Sequence, residues 1–92
     1  MNLKEYEQNF TMNIQQKLKT KIKGRIYVEV NWHDEIYVSI INTDNIKWEH
    51  RIVNFSERFL HGWSSEYAAY EIMSEYKKFI FEKAKEQYFY ND

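Results

Sequence analysis

Between Arg25 and Val53, apolar residues recur at every second position: Ile26, Val28, Val30 and Trp32, then Ile36, Val38 and Ile40, then Ile46, Trp48 and Ile52. Side chains of a strand alternate between faces, so this two-residue period predicts a three-stranded antiparallel meander with these residues on one oily face. The other face is mixed: Tyr27, Glu29 and Asn31; Tyr37, Ser39 and Ile41; Lys47, Glu49 and Arg51. Water can cover that side. The first hairpin is expected to turn at His33-Asp34-Glu35, with Val30 opposite Val38 and Val28 opposite Ile40. The second is expected to turn around Thr43-Asp44-Asn45, residues that bond to their own backbone and tolerate left-handed conformations. It sets Ile40 opposite Trp48, Ile36 opposite Ile52, Tyr37 opposite Arg51 and Ser39 opposite Glu49.

The period changes on both sides of the meander. Leu3, Tyr6, Phe10, Ile14 and Leu18 follow at steps of three and four, one face of a helix over residues 3–19, with Asn2 as its cap and Glu5 completing a capping-box-like start. After the strands, Phe55, Phe59 and Leu60 fit a short helix that ends at Gly62, a natural C-terminal stop, and Trp63 is expected to wedge into the core. Ser64 or Ser65 can cap a long final helix to about Tyr88, with Ala69, Ile72, Met73, Tyr76, Phe79, Ile80, Ala84 and Tyr88 as its buried stripe. Such a helix spans roughly 36 Å against about 20 Å for a strand of six, so it must overhang the sheet. Phe81, Phe89 and Tyr90 lie toward that overhang, where a second copy or a partner could pack. The fold class is therefore α+β, in the order α-β-β-β-α-α, in a single domain over residues 1–92.

Composition narrows the function classes. Without cysteine there is no disulfide framework and no thiolate zinc site. No apolar run approaches a membrane span, and residues 1–10 carry no apolar signal-peptide core, so the chain is expected to be cytoplasmic. No proline and only two glycines leave no flexible linker. At 18% aromatic residues, the chain has more rings than a core of this size can hide, so some are expected at contact surfaces.

Net charge is −1, but residues 1–25 carry +4 and residues 26–92 carry −5. Within the basic quarter, the run from Lys17 to Arg25 has a cation at every odd position. Wherever it is extended, Lys19, Lys21, Lys23 and Arg25 share one side. They form either a solvated strand edge, where lysine blocks aggregation, or a contact stripe for nucleic acid or an acidic partner.

No catalytic set is apparent. His33, His50 and His61 lack the i, i+4 spacing of a helical metal site and, apart from Asp34 and Glu35 beside His33, a convincing second ligand, and His50 falls by parity on the oily face as a core-edge residue. The serines lack a nucleophile elbow, and no Gly-rich phosphate loop exists. Glu71, Glu75, Glu82 and Glu86 alternate with Lys77, Lys78, Lys83 and Lys85 as a solvated face laced with i, i+4 pairs. The chain is expected to be no enzyme and to need no cofactor or metal.

Two resemblances bear on function. The order helix, three strands, helix resembles the double-stranded-RNA-binding domain, but where that family carries a phosphate-gripping lysine cluster this chain reads Ser64-Ser65-Glu66-Tyr67-Ala68-Ala69-Tyr70-Glu71. The segment from Phe55 to Tyr67, spaced F-x3-F-x2-G-W-x2-E-Y after a three-stranded meander, resembles a segment of the small phage-encoded anti-CRISPR proteins that inhibit type II nucleases. The resemblance implies a protein inhibitor whose partner is a host CRISPR nuclease, and by motif position it marks Glu66 and Tyr67 as contacts.

With Tyr70 and Glu71 beside them, Glu66 and Tyr67 define the candidate partner-binding surface. The alternatives are a nucleic-acid-binding domain using the basic run, with Tyr27 and Tyr37 available for stacking, and a structural homodimer through the long helix.

Overall fold

The computed structural model describes residues 2–90, and side chains over residues 2–87. Its element order is α1 (Leu3–Lys19), β1 (Gly24–Val30), β2 (Ile36–Asn42), β3 (Lys47–Ile52), α2 (Phe55–Leu60) and α3 (Ser65–Tyr90). The fold is α+β: an open antiparallel sheet in the order β1-β2-β3 with the helices packed on one face.

Each helix ends where its local chemistry requires. Asn2 Oδ1 accepts from the Glu5 backbone N–H at 2.9 Å and so starts α1. Gly62, at φ +86°, ends α2: its N–H donates to Phe59 and the next N–H, of Trp63, to Arg58, the paired bonds of a Schellman stop. Ser64 Oγ caps α3 by accepting from the Tyr67 N–H at 3.2 Å.

Both hairpins close with the same device. Asn31 and Asn42 occupy equivalent positions, and each Oδ1 accepts from the backbone N–H groups two and four residues on. The fourth residue of each turn, Asp34 and Asn45, adopts a left-handed φ near +60°. This is a type I turn followed by a left-handed residue, a three-residue hairpin loop. The second hairpin has the expected register, with Ile40 opposite Trp48, Ile36 opposite Ile52, Tyr37 opposite Arg51 and Ser39 opposite Glu49. The first is shifted by two: Val28 pairs with Val38 and Val30 with Ile36, because the loop starts at Asn31 and β1 ends at Val30. A shift of two preserves parity, so the inward face is unchanged. Trp32, expected on that face, instead sits at the loop tip, 89% exposed, with its ring 3.8 Å from that of His33.

The core lies between the sheet and the helices. Phe10, Ile14 and Leu18 of α1 meet Ile26 and Val28, Ile36, Val38 and Ile40, and Trp48 and Ile52; Phe55 and, from α3, Ala68, Ala69, Ile72 and Tyr76 complete it. The Trp48 ring meets Tyr76 edge-on at 5.5 Å and stacks on His50 at 5.2 Å, so His50 is the half-buried edge residue that parity implied. Phe10 of α1 meets Trp63 just before α3, Lys17 meets Glu66 in its first turn, and residues 21–23 after α1 lie beside Met73 and Lys77 further along it, so the two helices run side by side in the same direction.

The apolar stripes are shorter than their periods suggested. Leu3 and Tyr6 remain largely exposed at the start of α1. On α3, Met73 is half-buried; beyond Tyr76, Phe79 and Ile80 are half-buried and Ala84 is exposed, because the helix has left the sheet by then. The side chains of Tyr88, Phe89 and Tyr90 lie outside the described residues. That overhang stretches the molecule to 56 × 21 × 21 Å.

Candidate functional site

The Ser64 cap sets the rotation of the first turns of α3. Ala68, Ala69 and Ile72 then point inward, while Glu66, Tyr67 and Tyr70 point out and line a shallow concavity of about 420 Å³. Tyr67 and Tyr70 are 71% and 75% exposed. Lys17 Nζ holds Glu66 Oε1 at 3.5 Å from α1, and a carboxylate in the first turn of a helix also complements the helix dipole. Glu71, expected to share this surface, is half-buried and does not line the concavity, because it sits one residue further round the helix than Tyr70. Trp63 faces the other way, its ring 5.4 Å from Phe10 and beneath the Arg58 guanidinium, so it anchors the segment.

The basic run does not form one strand edge. Lys19 ends α1, where a cation suits the exposed carbonyls; Lys21 and Lys23 occupy the connection; only Arg25 lies on β1. All four are exposed, on three differently oriented pieces of backbone.

The mixed sheet face is ordered by polar pairs. The Tyr27 hydroxyl donates to Glu29 Oε2 at 2.8 Å and the Tyr37 hydroxyl to Glu49 Oε2 at 2.5 Å. The two rings meet edge-on at 6.5 Å, and the Arg51 guanidinium lies over Tyr37 at 5.1 Å. Donation to a carboxylate raises both phenols above the ordinary tyrosine range; the same bond, with Lys47 nearby, lowers Glu49.

His33 stands in the first turn, His50 on β3, and His61 follows α2 with Nδ1 2.7 Å from the Glu57 carbonyl oxygen. Among the described residues, no three His, Cys, Asp or Glu side chains are placed to hold a metal ion, and no helix is long and apolar enough to cross a membrane. The ion pairs within α3, Glu75 with Lys78 and Lys83 with Glu86, are spaced i, i+3 where i, i+4 pairs were expected.

Periodicity missed a groove of about 620 Å³ beside the overhang, lined by Ile22 and the neighbouring Lys21 and Lys23, by the second turn, and by α3 from Met73 to Ala84. Its sequence signal was Ile22, the one large apolar residue between the lysines after α1, and Phe81, which lies off the buried stripe. Among known proteins, no family model matches the chain, and no curated protein or solved structure matches it either.

Proposed function

We propose that this chain is a small non-enzymatic protein-binding inhibitor that acts by occupying a partner's surface through Glu66, Tyr67 and Tyr70. The observation that carries this reading is the pair of exposed tyrosines beside a carboxylate that pairs with Lys17 at the surface. Tyrosine offers a large, rigid, amphipathic contact at low entropic cost, and aromatic anchors dominate interface energetics. The resemblance of residues 55–67 to phage-encoded anti-CRISPR proteins supports the narrower form, in which the partner is a type II nuclease of a host defence system. The surface carries one carboxylate beside two neutral rings, so the proposed mode is steric occupation of a protein site, not imitation of a phosphate backbone. The test is cleavage of target DNA by a purified RNA-guided type II nuclease with the chain in excess. Protection that is lost in a Tyr67→Ala, Tyr70→Ala variant supports the reading. Unimpeded cleavage removes the narrower form.

A second reading is binding of single-stranded nucleic acid on the open sheet, favoured by the exposed Tyr27 and the half-buried Tyr37 beside Arg25, Lys47 and Arg51. The carboxylates of Glu29 and Glu49 on the same face oppose phosphates, which places this reading second. Retardation of single-stranded DNA or RNA at low salt, abolished as salt rises, would promote it.

A further inference from the structure

We infer that the groove beside the α3 overhang is a docking site for an acidic amphipathic helix of a protein partner. Met73, Lys77, Ile80, Phe81 and Ala84 are linked by spacings of three and four, 73 to 77, 77 to 80 and 81, and both of these to 84, so they form one continuous face of α3. The groove opens along its distal part, where Phe81 is 66% exposed and Ile22 of the α1–β1 connection supplies the facing wall. An apolar channel about three helical turns long is the shape that receives the i, i+3, i+4, i+7 face of another helix.

The rim decides the charge of the occupant. Lys21, Lys23 and Lys77 border the channel and, among the described residues, none of them makes an ion pair; Asp44, on the second turn, is the one acid on the lining. A second copy of this chain docked through the same face would bring its own Lys77, and Lys85 one turn beyond Phe81, against Lys21 and Lys23. Like charges across an interface repel, so the homodimer is disfavoured. Carboxylates flanking the occupant's apolar face would instead meet three unpaired ammonium groups.

This inference extends the protein-binding reading above, and its test uses a different probe. A dye-labelled synthetic peptide with leucines at i, i+3, i+4 and i+7 and glutamates between them is titrated into the full chain. A counterpart with lysines in place of the glutamates is titrated in parallel. Anisotropy reports affinity and amide shifts report location. The acidic peptide is expected to bind and to shift Ile22, Met73, Lys77, Ile80, Phe81 and Ala84, and the basic one to leave them unmoved. Phe81→Glu should weaken binding at least about tenfold, while Lys21→Glu, Lys23→Glu, Lys77→Glu together should transfer the preference to the basic peptide; all four positions are exposed, so folding is checked by an unchanged melting curve. Equal binding of both peptides, shifts confined to other surfaces, or concentration-dependent self-association through these same amides would overturn the inference. Loss of the peptide signal alongside nuclease protection that still depends on Tyr67 and Tyr70 would remove the groove and leave the first surface standing. The reverse pattern would do the opposite.

Discussion

The carboxylate of Asp34, at the tip of the first hairpin, caps a helix 22 residues further along the chain: it accepts from the Ser56 backbone N–H at 3.1 Å and from the Ser56 hydroxyl at 2.7 Å. Asn54 precedes α2 in a left-handed conformation and makes no side-chain cap of its own, so the hairpin supplies the missing acceptor. The Asp34 carbonyl oxygen also accepts from the Phe55 N–H at 2.9 Å, which locks the turn to the helix that leads into α3.

Asp34→Ala removes the cap and forces an ordinary residue into a left-handed φ, so it should cost about 2–3 kcal/mol in urea unfolding. Asp34→Asn, which tolerates that φ and keeps one acceptor, should cost about 1 kcal/mol or less. Equal losses would show that the two-oxygen carboxylate cap and not backbone conformation dominates.

The two glycines should respond differently to alanine. A Cβ at Gly24 would lie 2.2 Å from the Ile41 carbonyl oxygen and 2.9 Å from the Asn42 Cα, backbone that cannot step aside, and φ is +142°. A Cβ at Gly62 meets open space, and only its φ of +86° is unfavourable. Gly24→Ala should therefore cost about 2–3 kcal/mol and Gly62→Ala about 1 kcal/mol, read from denaturation midpoints.

Much of this was legible in the sequence for a physical reason: alternation is a property of each strand alone, so the oily face, the second register and the helix bounds could be read locally. The first register was not read, because it depends on Asn31 acting as the first residue of the turn; asparagine favours that position, but here it also fits the outward parity of β1, which masks the signal. Trp32 was misplaced for the same reason, and Ala84 because helical period says nothing of where the sheet beneath ends. Glu66, Tyr67 and Tyr70 were readable as outward positions. The Lys17 contact and the groove were not, since both need α1 and α3 to lie side by side.

Trp48 is buried between Tyr76 and His50. Truncation to alanine should cost about 3–5 kcal/mol, a large share of a total of roughly 5–15. A loss below about 1 kcal/mol would place this ring outside the core.

The Tyr37 to Glu49 bond makes the sheet face sensitive at both ends of the pH scale. Glu49 is lowered in the folded state, so its contribution is present above the ordinary carboxylate range and is lost as pH falls through the folded value. Tyr37 is raised, so its contribution is present below the ordinary tyrosine range and is lost as pH rises through the folded value. Both groups are solvated and the effect on stability is small, so titration by NMR is the better readout. In Tyr37→Phe the Glu49 midpoint should move up toward that of a free glutamate; an unchanged midpoint would mean that Lys47 alone sets it.

The proposed contact surface is tested most directly by placing a photo-activatable aromatic residue at Tyr70 in one variant and at Tyr27 in another, and irradiating each with the purified type II nuclease or with host lysate. Both positions are exposed, and they lie on different faces: Tyr70 on α3, Tyr27 on the uncovered side of the sheet. The expected result is a discrete protein adduct from position 70 that disappears when Tyr67 is also changed to alanine, with none from position 27. An adduct from position 27 alone, or one from position 70 that is indifferent to Tyr67, would contradict the assignment of the binding surface to the start of α3.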